Sequence, residues 1–344
     1  MNKLSVIIPY YNADAYIGDV LEDLLHQDMS TDEYEIIVVD DGSTENADIL
    51  RSYCTNYSCI RYVLIKNAGP SAARNVGLEA AQGEYVFFCD SDDRVMRNAF
   101  GHLYEIAVRN DLEVLFFNRI MLQENERLPD SRIIKELDSP VISGDAYFAN
   151  HPDMSLGPWR YISKREFLIN ENLYFPKDFF MVEDRMFAIS LMLAAKRVSH
   201  IDTDVYYYIQ RPGSLVHKAG KILQAKRTAD SRLQYIQFLN MVLNEQNLLC
   251  RESIKMERDF TAFIILHNAF RYLGLSQNWR IKGMLRDMGA YPIMEQRLSN
   301  RFHRFILWTM NHSALWMTCC VIFHVLPGSL RKKRNCSVNP VIAT

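Results

Sequence analysis

Paired cysteines are absent from this chain of 344 residues. Its seven cysteines are scattered and odd in number, and no two of them form a CxxC pair. The sequence therefore predicts neither a disulfide framework nor a zinc site, and reduced thiols in the cytosol are the simpler interpretation. A signal peptide is not expected either, because the first apolar run is short and polar residues follow it without a cleavage site.

Strong net charge and the common nucleotide-binding motifs are missing as well. The formal net charge is −2, which gives no overall attraction to nucleic acid. No G-x-G-x-x-G sequence and no Walker lysine occur among the N-terminal strands, which argues against a dehydrogenase or a P-loop enzyme. Apolar residues are plentiful instead, at 49% of the chain, and suffice for a sizeable core.

Four short apolar runs punctuate the N-terminal part. They are rich in Val, Ile, Tyr and Phe and too short for ordinary helices, and helical patterns fill the gaps between them. Strands that alternate with helices predict right-handed βαβ units and a mainly parallel sheet covered on both faces. The runs are LSVIIP (4–9), YEIIVVD (34–40), IRYVLI (60–65) and EYVFFCD (84–90).

Polar side chains gather where these predicted strands end. In parallel sheets, ligands bind beyond the carboxyl ends of the strands, so we expect a site at this edge. The alternative is that the aspartates only cap helices and turns. The residues are Asn12 after the first run, Asp40 and Asp41 at the end of the second, and Asp90 at the end of the fourth.

Six segments of the chain form an ordered set of motifs. They are SVIIPYYNA (5–13), VVDDGSTE (38–45), NAGPSAARNVGL (67–78), YVFFCDSDD (85–93), VEDR (182–185) and YYYIQRPGSLVH (206–217). In this order they resemble the family 2 glycosyltransferases, which are inverting enzymes with the nucleotide-diphospho-sugar fold called GT-A. The resemblance covers about residues 1–217 and implies an α/β fold with a mainly parallel sheet flanked by helices. We expect a GT-A domain at 1–218, a helical C-terminal region at 219–300 and a basic, apolar tail at 301–344.

Three aspartates occupy four positions directly after the fourth run. A divalent cation such as Mn²⁺ or Mg²⁺ prefers carboxylate oxygens and neutralises the charge of a leaving diphosphate. If the chain stays extended, Asp90 and Asp92 point to the same side, and a metal removes their repulsion. The resemblance makes Asp92 the direct metal ligand, Asp90 a second ligand or a ribose contact, and Asp93 a donor-sugar contact. The alternative is a solvated acidic turn.

The resemblance also assigns residues to the nucleotide. Pro9 and Tyr11 follow the first strand, where the family lays the base against the backbone and an aromatic ring. Asp41 matches the carboxylate that accepts a hydrogen bond from uracil. Arg74 matches a basic residue near the nucleotide, and the alternative is an ordinary arginine on the surface of a helix.

The pair Glu183–Asp184 lies about ninety residues after the D-x-D sequence, as the catalytic acid pair of the family does. An acceptor hydroxyl must lose its proton as it attacks the anomeric carbon, and a positioned carboxylate accepts that proton. We assign Asp184 as the general base and Glu183 as the residue that orients it or the acceptor. Both reach one site only near a helix start. The alternative is a carboxylate pair that stabilises the helix dipole.

Two further positions have assignments at the sugar and the diphosphate. Arg211 lies in the segment after the YYY sequence, where a basic loop of the family often closes over the diphosphate, and Ser214 and His217 lie in the same segment. Trp159 either stacks on the apolar face of the acceptor sugar or is an ordinary core tryptophan.

The C-terminal sequence contains no acidic residue after Glu295. Its apolar stretch 305–328 carries Trp308 and Trp316 between basic flanks, but polar residues interrupt it, so a simple membrane span is not expected. We predict an interfacial helix on an anionic membrane face, which fits a lipid-linked glycan acceptor. The alternative is a buried terminal helix pair of a soluble enzyme.

Together with the resemblance, which alone implies inversion, these patterns predict a metal-dependent inverting glycosyltransferase of polysaccharide biosynthesis. It would move a sugar from a nucleotide-diphospho-sugar, a UDP-sugar by resemblance, to a glycan or a lipid-linked glycan. We expect it in the cytoplasm, peripheral on the inner face of the cell membrane. One alternative is a non-catalytic sugar-nucleotide or glycan-binding partner of another transferase, which predicts damage at Asp92 or Asp184, and both are intact. Another is a nucleotidyltransferase, which should show a glycine- and arginine-rich stretch near the first strand.

Overall fold

The protein is described here from a computed structural model. The chain divides into two compact units, and only the described residues of each unit are discussed below. The domain boundaries predicted from the sequence stay a prediction. Ser214, His217 and the basic run 331–334 lie outside the described residues. The structure describes residues 2–129, 136–179, 181–211, 221–294, 301–312 and 316. The first unit comprises Met1–Phe148, Leu156–Phe179 and Glu183–His217, and the second comprises Ala149–Ser155, Phe180–Val182 and Lys218–Thr344.

The first unit is built on one mainly parallel sheet. In the described residues its strand order is β3-β2-β1-β4-β7-β6-β8-β5. The first four of these strands run parallel, as do β6 and β8, while β7 and β5 are antiparallel to their neighbours. The predicted α/β fold is confirmed. The strands are β1 (Leu4–Tyr10), β2 (Tyr34–Asp40), β3 (Ile60–Leu64), β4 (Tyr85–Phe88), β5 (Arg94–Val95), β6 (Val114–Gln123), β7 (Tyr161–Lys164) and β8 (Val198–Gln210).

Helices cover the sheet and also make up most of the described second unit. A short 3-10 helix, Pro158–Arg160, precedes β7. The helices with most of their residues in the first unit are α1 (Asp14–Leu25), α2 (Asp48–Asn56), α3 (Pro70–Ala80), α4 (Phe100–Arg109), α5 (Gly144–Asn150), α6 (Arg165–Asn170) and α7 (Glu183–Ala194). Those of the second unit are α8 (Lys221–Leu243), α9 (Arg251–Tyr272), α10 (Leu275–Asp287) and α11 (Arg301–Asn311).

The four apolar runs of the sequence become β1 to β4. Nearly every side chain in β1, β2 and β4 is buried, as expected for strands with helices on both faces. The fourth run ends earlier than predicted, because β4 stops at Phe88 and the chain leaves the sheet at Cys89 and Asp90. This early end places the acidic sequence in a turn beyond the sheet.

Helix α3 lies unusually close to β1. Its first residue is Pro70. Proline suits this position because the first amides of a helix have no intrahelical partner, so its missing N–H costs nothing. A β-carbon added to Gly77 would lie 2.3 Å from the Cγ2 atom of Ile7, so only glycine permits this approach. One turn earlier on the same helix is Arg74, and the close packing holds that residue against the sheet.

The second unit has its own apolar core. Residues from all four of its helices are buried together, among them Ile236, Phe263, Leu285 and Met310. The predicted helical C-terminal region is confirmed. Within the described ranges, no helix has both the length and the apolar composition that crossing a membrane requires.

We expect Gly77→Ala to destabilise the first unit. The added methyl group must push Ile7 or the helix aside, and overpacking of this kind costs about 1–3 kcal/mol. Urea unfolding followed by circular dichroism measures the loss. Gly283→Ala is the matched control, because Gly283 is also helical but has nothing within 4 Å of the added β-carbon. That variant should be stabilised by up to about 1 kcal/mol. Equal behaviour of the two variants would contradict the close approach.

Candidate active site

Three parallel neighbours, β2, β1 and β4, end at one edge of the sheet. Tyr10 pairs with Asp40 across β1 and β2, and the amide of Asp41 donates to the carbonyl oxygen of Tyr10 at 2.8 Å. On the other side, β4 leads into Asp90. The predicted polar residues therefore meet at the carboxyl edge, which is where open α/β sheets bind ligands.

A buried arginine joins two of the predicted acids. Arg74 donates from Nη2 to Asp90 Oδ1 at 2.8 Å and from Nη1 to Asp184 Oδ1 at 2.9 Å. The residue is only 4% exposed, and its guanidinium lies 5.2 Å from the centroid of the Phe175 ring. Burial acts to lower the pKa of Arg74, but the charges of Asp184 and Asp90 outweigh burial and raise it. Arg74 is thus a permanent cation between two carboxylates, and the alternative of a surface arginine is wrong.

Helix α7 begins at Glu183, so the acid pair occupies the helix start that the sequence requires. Glu183 is 8% exposed, and its Oε2 is buried without a hydrogen bond to any described residue. Burial raises the pKa of Asp184 to about 7; Arg74 acts in the opposite direction, and the charges of Glu183 and Asp90 add to the rise. Asp184 therefore changes protonation near neutral pH, which is where a general base works best.

The acidic sequence forms a turn and is not extended. The amide of Asp93 donates to the carbonyl oxygen of Asp90 at 3.4 Å, so strand alternation does not set the direction of these side chains. Asp93 is 2% exposed, and its two carboxylate oxygens accept hydrogen bonds from Tyr206 Oη at 2.6 Å and from the amide of Ile209 at 2.8 Å. Burial, together with Asp92 and Asp90, raises the pKa of Asp93 well above its ordinary value. Asp93 thus ties the turn to β8.

A second anchor holds the chain just after the turn. Asp23 of α1 is fully buried and accepts two hydrogen bonds from the guanidinium of Arg94, at 2.5 and 2.9 Å. Arg97 donates to the same carboxylate at 2.9 Å. Removing charge from water is costly unless it is paired, and Asp23 is paired twice. The acidic turn is consequently fixed at two points: Tyr206 holds Asp93 within the turn, and Asp23 holds the residues that follow it.

Asp92 is the aspartate of the turn that faces outward. Its side chain is 43% exposed, and Arg211 Nη1 lies 3.7 Å from its Oδ2. Arg211 is itself mostly buried, with its guanidinium 4.3 Å from the Tyr16 ring centroid and 3.5 Å from Glu124 Oε1. Its Nε and Nη1 are buried and make no hydrogen bond within the described chain. The arginine therefore retains donors for a ligand beside Asp92.

The donor set of the turn fits a divalent cation that is shared with a substrate. Burial and the charge of Asp90 raise the pKa of Asp92, and Arg211 lowers it, so the two carboxylates repel each other through the site. Across the described ranges, no three His, Cys, Asp or Glu side chains are grouped closely enough to hold a metal together. Mg²⁺-type sites commonly use one or two carboxylates and complete their shell with waters and phosphates. Asp92 and Asp90 match that pattern.

Pro9, Tyr11 and Asp41, which the resemblance assigns to the nucleotide, lie at the carboxyl ends of β1 and β2. Tyr11 is 47% exposed and Pro9 is half-buried. Asp41 is 5% exposed, and its carboxylate oxygens accept the amides of Ala68 at 2.7 Å and Gly69 at 2.8 Å. Asp41 thereby fixes the loop that enters α3, and its contact with uracil stays a prediction.

Trp159 has the packing that its core alternative predicts. It is 7% exposed, and its ring stacks on Tyr206 with centroids 4.9 Å apart and an interplanar angle of 7°. An acceptor sugar needs an exposed ring face, and this one is covered. Trp159 supports the site indirectly, because it packs against Tyr206, which donates a hydrogen bond to Asp93.

Sequence reasoning did not assign Tyr206, Tyr16 or Phe175. Tyr206 donates to Asp93 and accepts a hydrogen bond from the amide of Asp90 at 3.2 Å. A signal for it was present in the YYY sequence, because alternation in a strand puts Tyr206 and Tyr208 on one face. Tyr16 and Phe175, which stack on the two arginines, come from segments whose pattern shows only ordinary apolar periodicity.

Comparisons with known proteins identify the family of the chain. The family model described as Glycosyl transferase family 2 matches residues 5–181, slightly over half of the chain. The chain belongs to glycosyl transferase family 2. Asp41, Arg74, Asp90 and Asp92 all lie within the matched region, and the pair Glu183–Asp184 follows directly after it.

Two curated relatives each match about three fifths of the chain. One is described as the uncharacterized glycosyltransferase EpsJ of Bacillus subtilis, 32% identical over 216 residues, which are 62% of this chain and 62% of that protein. Another is the poly(ribitol-phosphate) beta-glucosyltransferase of Bacillus spizizenii, 32% identical over 215 residues, covering 61% of this chain and 33% of that protein. The match spans less than two thirds of the length of each relative.

Solved structures show that the fold is shared. The crystal structure of S. aureus TarS 1–349 in complex with UDP-GlcNAc superposes with a TM-score of 0.65 at 22% identity, covering 99% of this chain and 95% of that one. The mannosyltransferase PcManGT from Pyrobaculum calidifontis, in complex with GDP-Man and Mn²⁺, gives a TM-score of 0.50 at 17% identity, covering 96% of this chain and 88% of that one. At these identities the likeness concerns the fold alone.

We expect Arg74→Met to destabilise the protein more at high pH than at low pH. Without the cation, the pKa of Asp184 rises further above its unfolded value, and such a carboxyl destabilises the fold when ionised. The free energy of unfolding should fall by about 3 kcal/mol near pH 8, and by clearly less near pH 5.5, where Asp184 is protonated. Urea unfolding at both pH values measures this.

Arg61→Met is the matched control for that experiment. Arg61 also pairs with a mostly buried carboxylate, Glu35, at 2.7 Å, but its own side chain is 41% exposed. The pKa of Glu35 is lowered in the folded protein, because its hydrogen bonds to Ser5, Arg61 and Gln82 outweigh burial. The loss in this control should therefore not shrink toward low pH through the range in which Asp184 titrates. An Arg74→Met loss that is the same at both pH values would contradict the proposed charge balance.

Proposed function

We propose that the protein is a metal-dependent, inverting glycosyltransferase that moves a sugar from a UDP-sugar to a glycan or lipid-linked glycan acceptor. The observation that carries the proposal is the ion-pair chain Asp90–Arg74–Asp184. In this chain one guanidinium holds Asp90, which we assign to the diphosphate side, and Asp184, whose pKa is raised to about 7, through separate amino groups. A single displacement requires one group that serves the leaving diphosphate and another that accepts the proton of the acceptor, and the two groups must lie close together.

Asp184 is the general base of this proposal. The acceptor hydroxyl oxygen forms a bond to the anomeric carbon while the bond from that carbon to the diphosphate breaks, and the hydroxyl proton passes to Asp184. Arg74 holds the Oδ1 atom of Asp184, which fixes the direction of the carboxylate. The remainder of the side chain is reachable, because one third of it is exposed. Attack from the side opposite the leaving group inverts the anomeric centre.

Glu183 is the acceptor-orienting residue. Its buried Oε2 has no partner in the described chain, and an unsatisfied buried carboxylate oxygen is expensive unless a ligand completes it. A sugar hydroxyl would be a suitable donor once acceptor binding uncovers that oxygen, which is buried in this structure. Hydrogen bonding there would align the acceptor beside Asp184 on the first turn of α7.

Asp92 and Asp90 would hold the cation, either Mn²⁺ or Mg²⁺, and Arg211 would contact the diphosphate. When bound, the cation supplies positive charge to the leaving nucleotide. Arg211 Nη1 is 3.7 Å from Asp92, and two of the arginine's donors have no hydrogen bond within the described chain. Because these donors are buried, the side chain would have to shift outward for a phosphate oxygen to accept from it. Asp93 would contribute to cation binding only indirectly, by holding the turn in place, since both of its carboxylate oxygens accept hydrogen bonds from Tyr206 and Ile209.

The nucleoside would lie at the ends of β1 and β2. Tyr11 offers an exposed ring for stacking, Pro9 a rigid edge, and Asp41 a carboxylate at the loop before α3. Uracil is the base we propose, in line with the complex of TarS with UDP-GlcNAc. A polysaccharide acceptor accords with the names of the relatives, which include poly(ribitol-phosphate) transferases.

We expect the purified protein with Mn²⁺ to release UDP from at least one UDP-sugar in a panel that also contains GDP-mannose. EDTA should stop the release, because the leaving diphosphate then keeps its full charge. Asp92→Ala should abolish release and weaken Mn²⁺-dependent UDP binding, measured by calorimetry. Asp32→Ala is the control, since Asp32 is an exposed aspartate away from the edge. Full activity in EDTA, or in Asp92→Ala, would reject metal dependence.

We expect Asp184→Asn to lower turnover by at least about a hundredfold with UDP binding nearly unchanged, because it keeps the shape but cannot take the proton. Turnover of the wild type should decline as the pH falls below about 7, where Asp184 becomes protonated. The variant should lack this dependence. Pre-steady-state or steady-state rates across that pH range measure both effects.

Glu183→Gln is the matched partner of that variant. It should be milder in turnover and should raise the KM for the acceptor, because it alters acceptor alignment and leaves the base in place. If Asp184→Asn keeps its turnover while Glu183→Gln is inactive, the two roles are reversed. If both keep turnover, the pair is a helix-end feature and the base lies elsewhere.

A further inference from the structure

Helix α11 presents two chemically different faces in the second unit. Ile306, Leu307 and Met310 point inward and are at most 9% exposed, and they pack in the helical core together with Trp316. The outward face consists of exposed residues at helical spacing, which we call the Trp308 stripe. Its members are Arg301, Arg304, Phe305, Trp308 and His312.

Large aromatic groups stand on this outward face. Phe305 is 56% exposed and Trp308 is 50% exposed, and their ring centroids are 6.2 Å apart. The ring of His312 lies 4.6 Å from that of Trp308, and one His312 ring nitrogen is 2.7 Å from the Trp308 carbonyl oxygen. The three rings thus form a continuous patch on the helix. Aromatic rings with one apolar body and one polar edge suit a boundary between water and an apolar phase.

The arginines of the stripe belong to a stretch of sequence whose charge has one sign. Arg301 and Arg304 are exposed on the same face as the aromatic rings. The sequence from Arg297 to the last residue contains seven basic side chains and no acidic one, namely Arg297, Arg301, Arg304, Arg331, Lys332, Lys333 and Arg334. The chain as a whole has a net charge of −2, so this excess is local. An occupant with negative charge above an apolar layer is complementary to the stripe.

We propose that the Trp308 stripe docks the protein on the surface of an anionic lipid bilayer. Phe305 and Trp308 enter the headgroup boundary, and Arg301 and Arg304 contact the acidic headgroups. The structure narrows the interfacial helix that the sequence predicts, because Trp316 is 2% exposed and belongs to the core. The helix lies on the bilayer and does not cross it. Such docking would keep the enzyme where lipid-linked acceptors are found, a consequence that rests on the proposed function.

Sedimentation of the full chain with vesicles tests the proposal. The wild type should pellet with vesicles of equal parts phosphatidylglycerol and phosphatidylcholine at low salt, and remain in solution with phosphatidylcholine alone. Phe305→Ser with Trp308→Ser should weaken binding by about tenfold or more, because the inserted apolar area is removed. Arg301→Glu with Arg304→Glu should abolish the preference for the anionic vesicles.

Matched controls come from α8. Lys226→Glu with Arg227→Glu makes the same change in charge at two exposed basic residues, and Met241→Ser removes an apolar side chain that is 64% exposed. Both controls should bind vesicles as the wild type does. All stripe variants should release UDP from a soluble donor at the wild-type rate, so a failure of the proposed enzyme function is seen separately.

Three outcomes would overturn the proposal. The first is a wild type that ignores anionic vesicles at low salt. The second is vesicle binding that survives in the aromatic stripe variant and is lost only when residues 317–344 are deleted, which would make that segment the anchor. The third is a wild-type dimer in sedimentation velocity that the aromatic variant abolishes without any effect of vesicles, which would make the stripe a contact between copies.

Discussion

The guanidinium of Arg74 is the charge on which the site depends. It is buried, it stacks on Phe175, and it holds Asp90 and Asp184 through separate amino groups. Without a cation at this point, two carboxylates would face each other inside the protein. The close packing of Gly77 on Ile7 brings α3 near enough to the sheet for that contact to form. Backbone packing of α3 therefore positions the cation that opposes the effect of burial on the pKa of Asp184, an acid on another helix.

Two acids one residue apart in sequence, Asp92 and Asp93, show how the turn separates tasks. Asp93 is enclosed and satisfied by Tyr206 and Ile209, so it stabilises the turn. Asp92 keeps 43% of its side chain exposed next to a cation whose donors are not satisfied. Asp23 keeps the following residues in place through Arg94 and Arg97. Because one side of the turn is rigid, the other side can keep a partly exposed carboxylate whose partner is Arg211.

The sequence predicted the sheet well and the site contacts only in part. The strands followed from dense runs of Val, Ile and Phe, because burial on both faces leaves little choice of residue type. Family motifs located the acids near one edge. The bridge by Arg74 was not predictable, since it joins positions 16 and 110 residues apart. The common direction of Asp90 and Asp92 was predicted only for an extended chain, but the chain turns at Asp90. Hydrophobic periodicity does not show at which residue a strand ends.

The two tryptophans of the C-terminal stretch also differ in a way that the sequence does not show, because one is exposed and the other is buried. In sequence, Trp308 and Trp316 have similar apolar and basic surroundings, and both were assigned to one interfacial helix. They are eight residues apart, a spacing that in an ideal helix leaves the two side chains at an angle of about 80°, which still fits within one apolar stripe of about 100°. The structure nevertheless exposes half of Trp308 and buries Trp316 in the helical core. Periodicity alone therefore could not assign them, because the rings are sorted by the neighbours that each meets. A tryptophan contributes to a membrane contact only when the core has not already covered it, so burial, and not composition, decides which part of such a stretch remains for a partner.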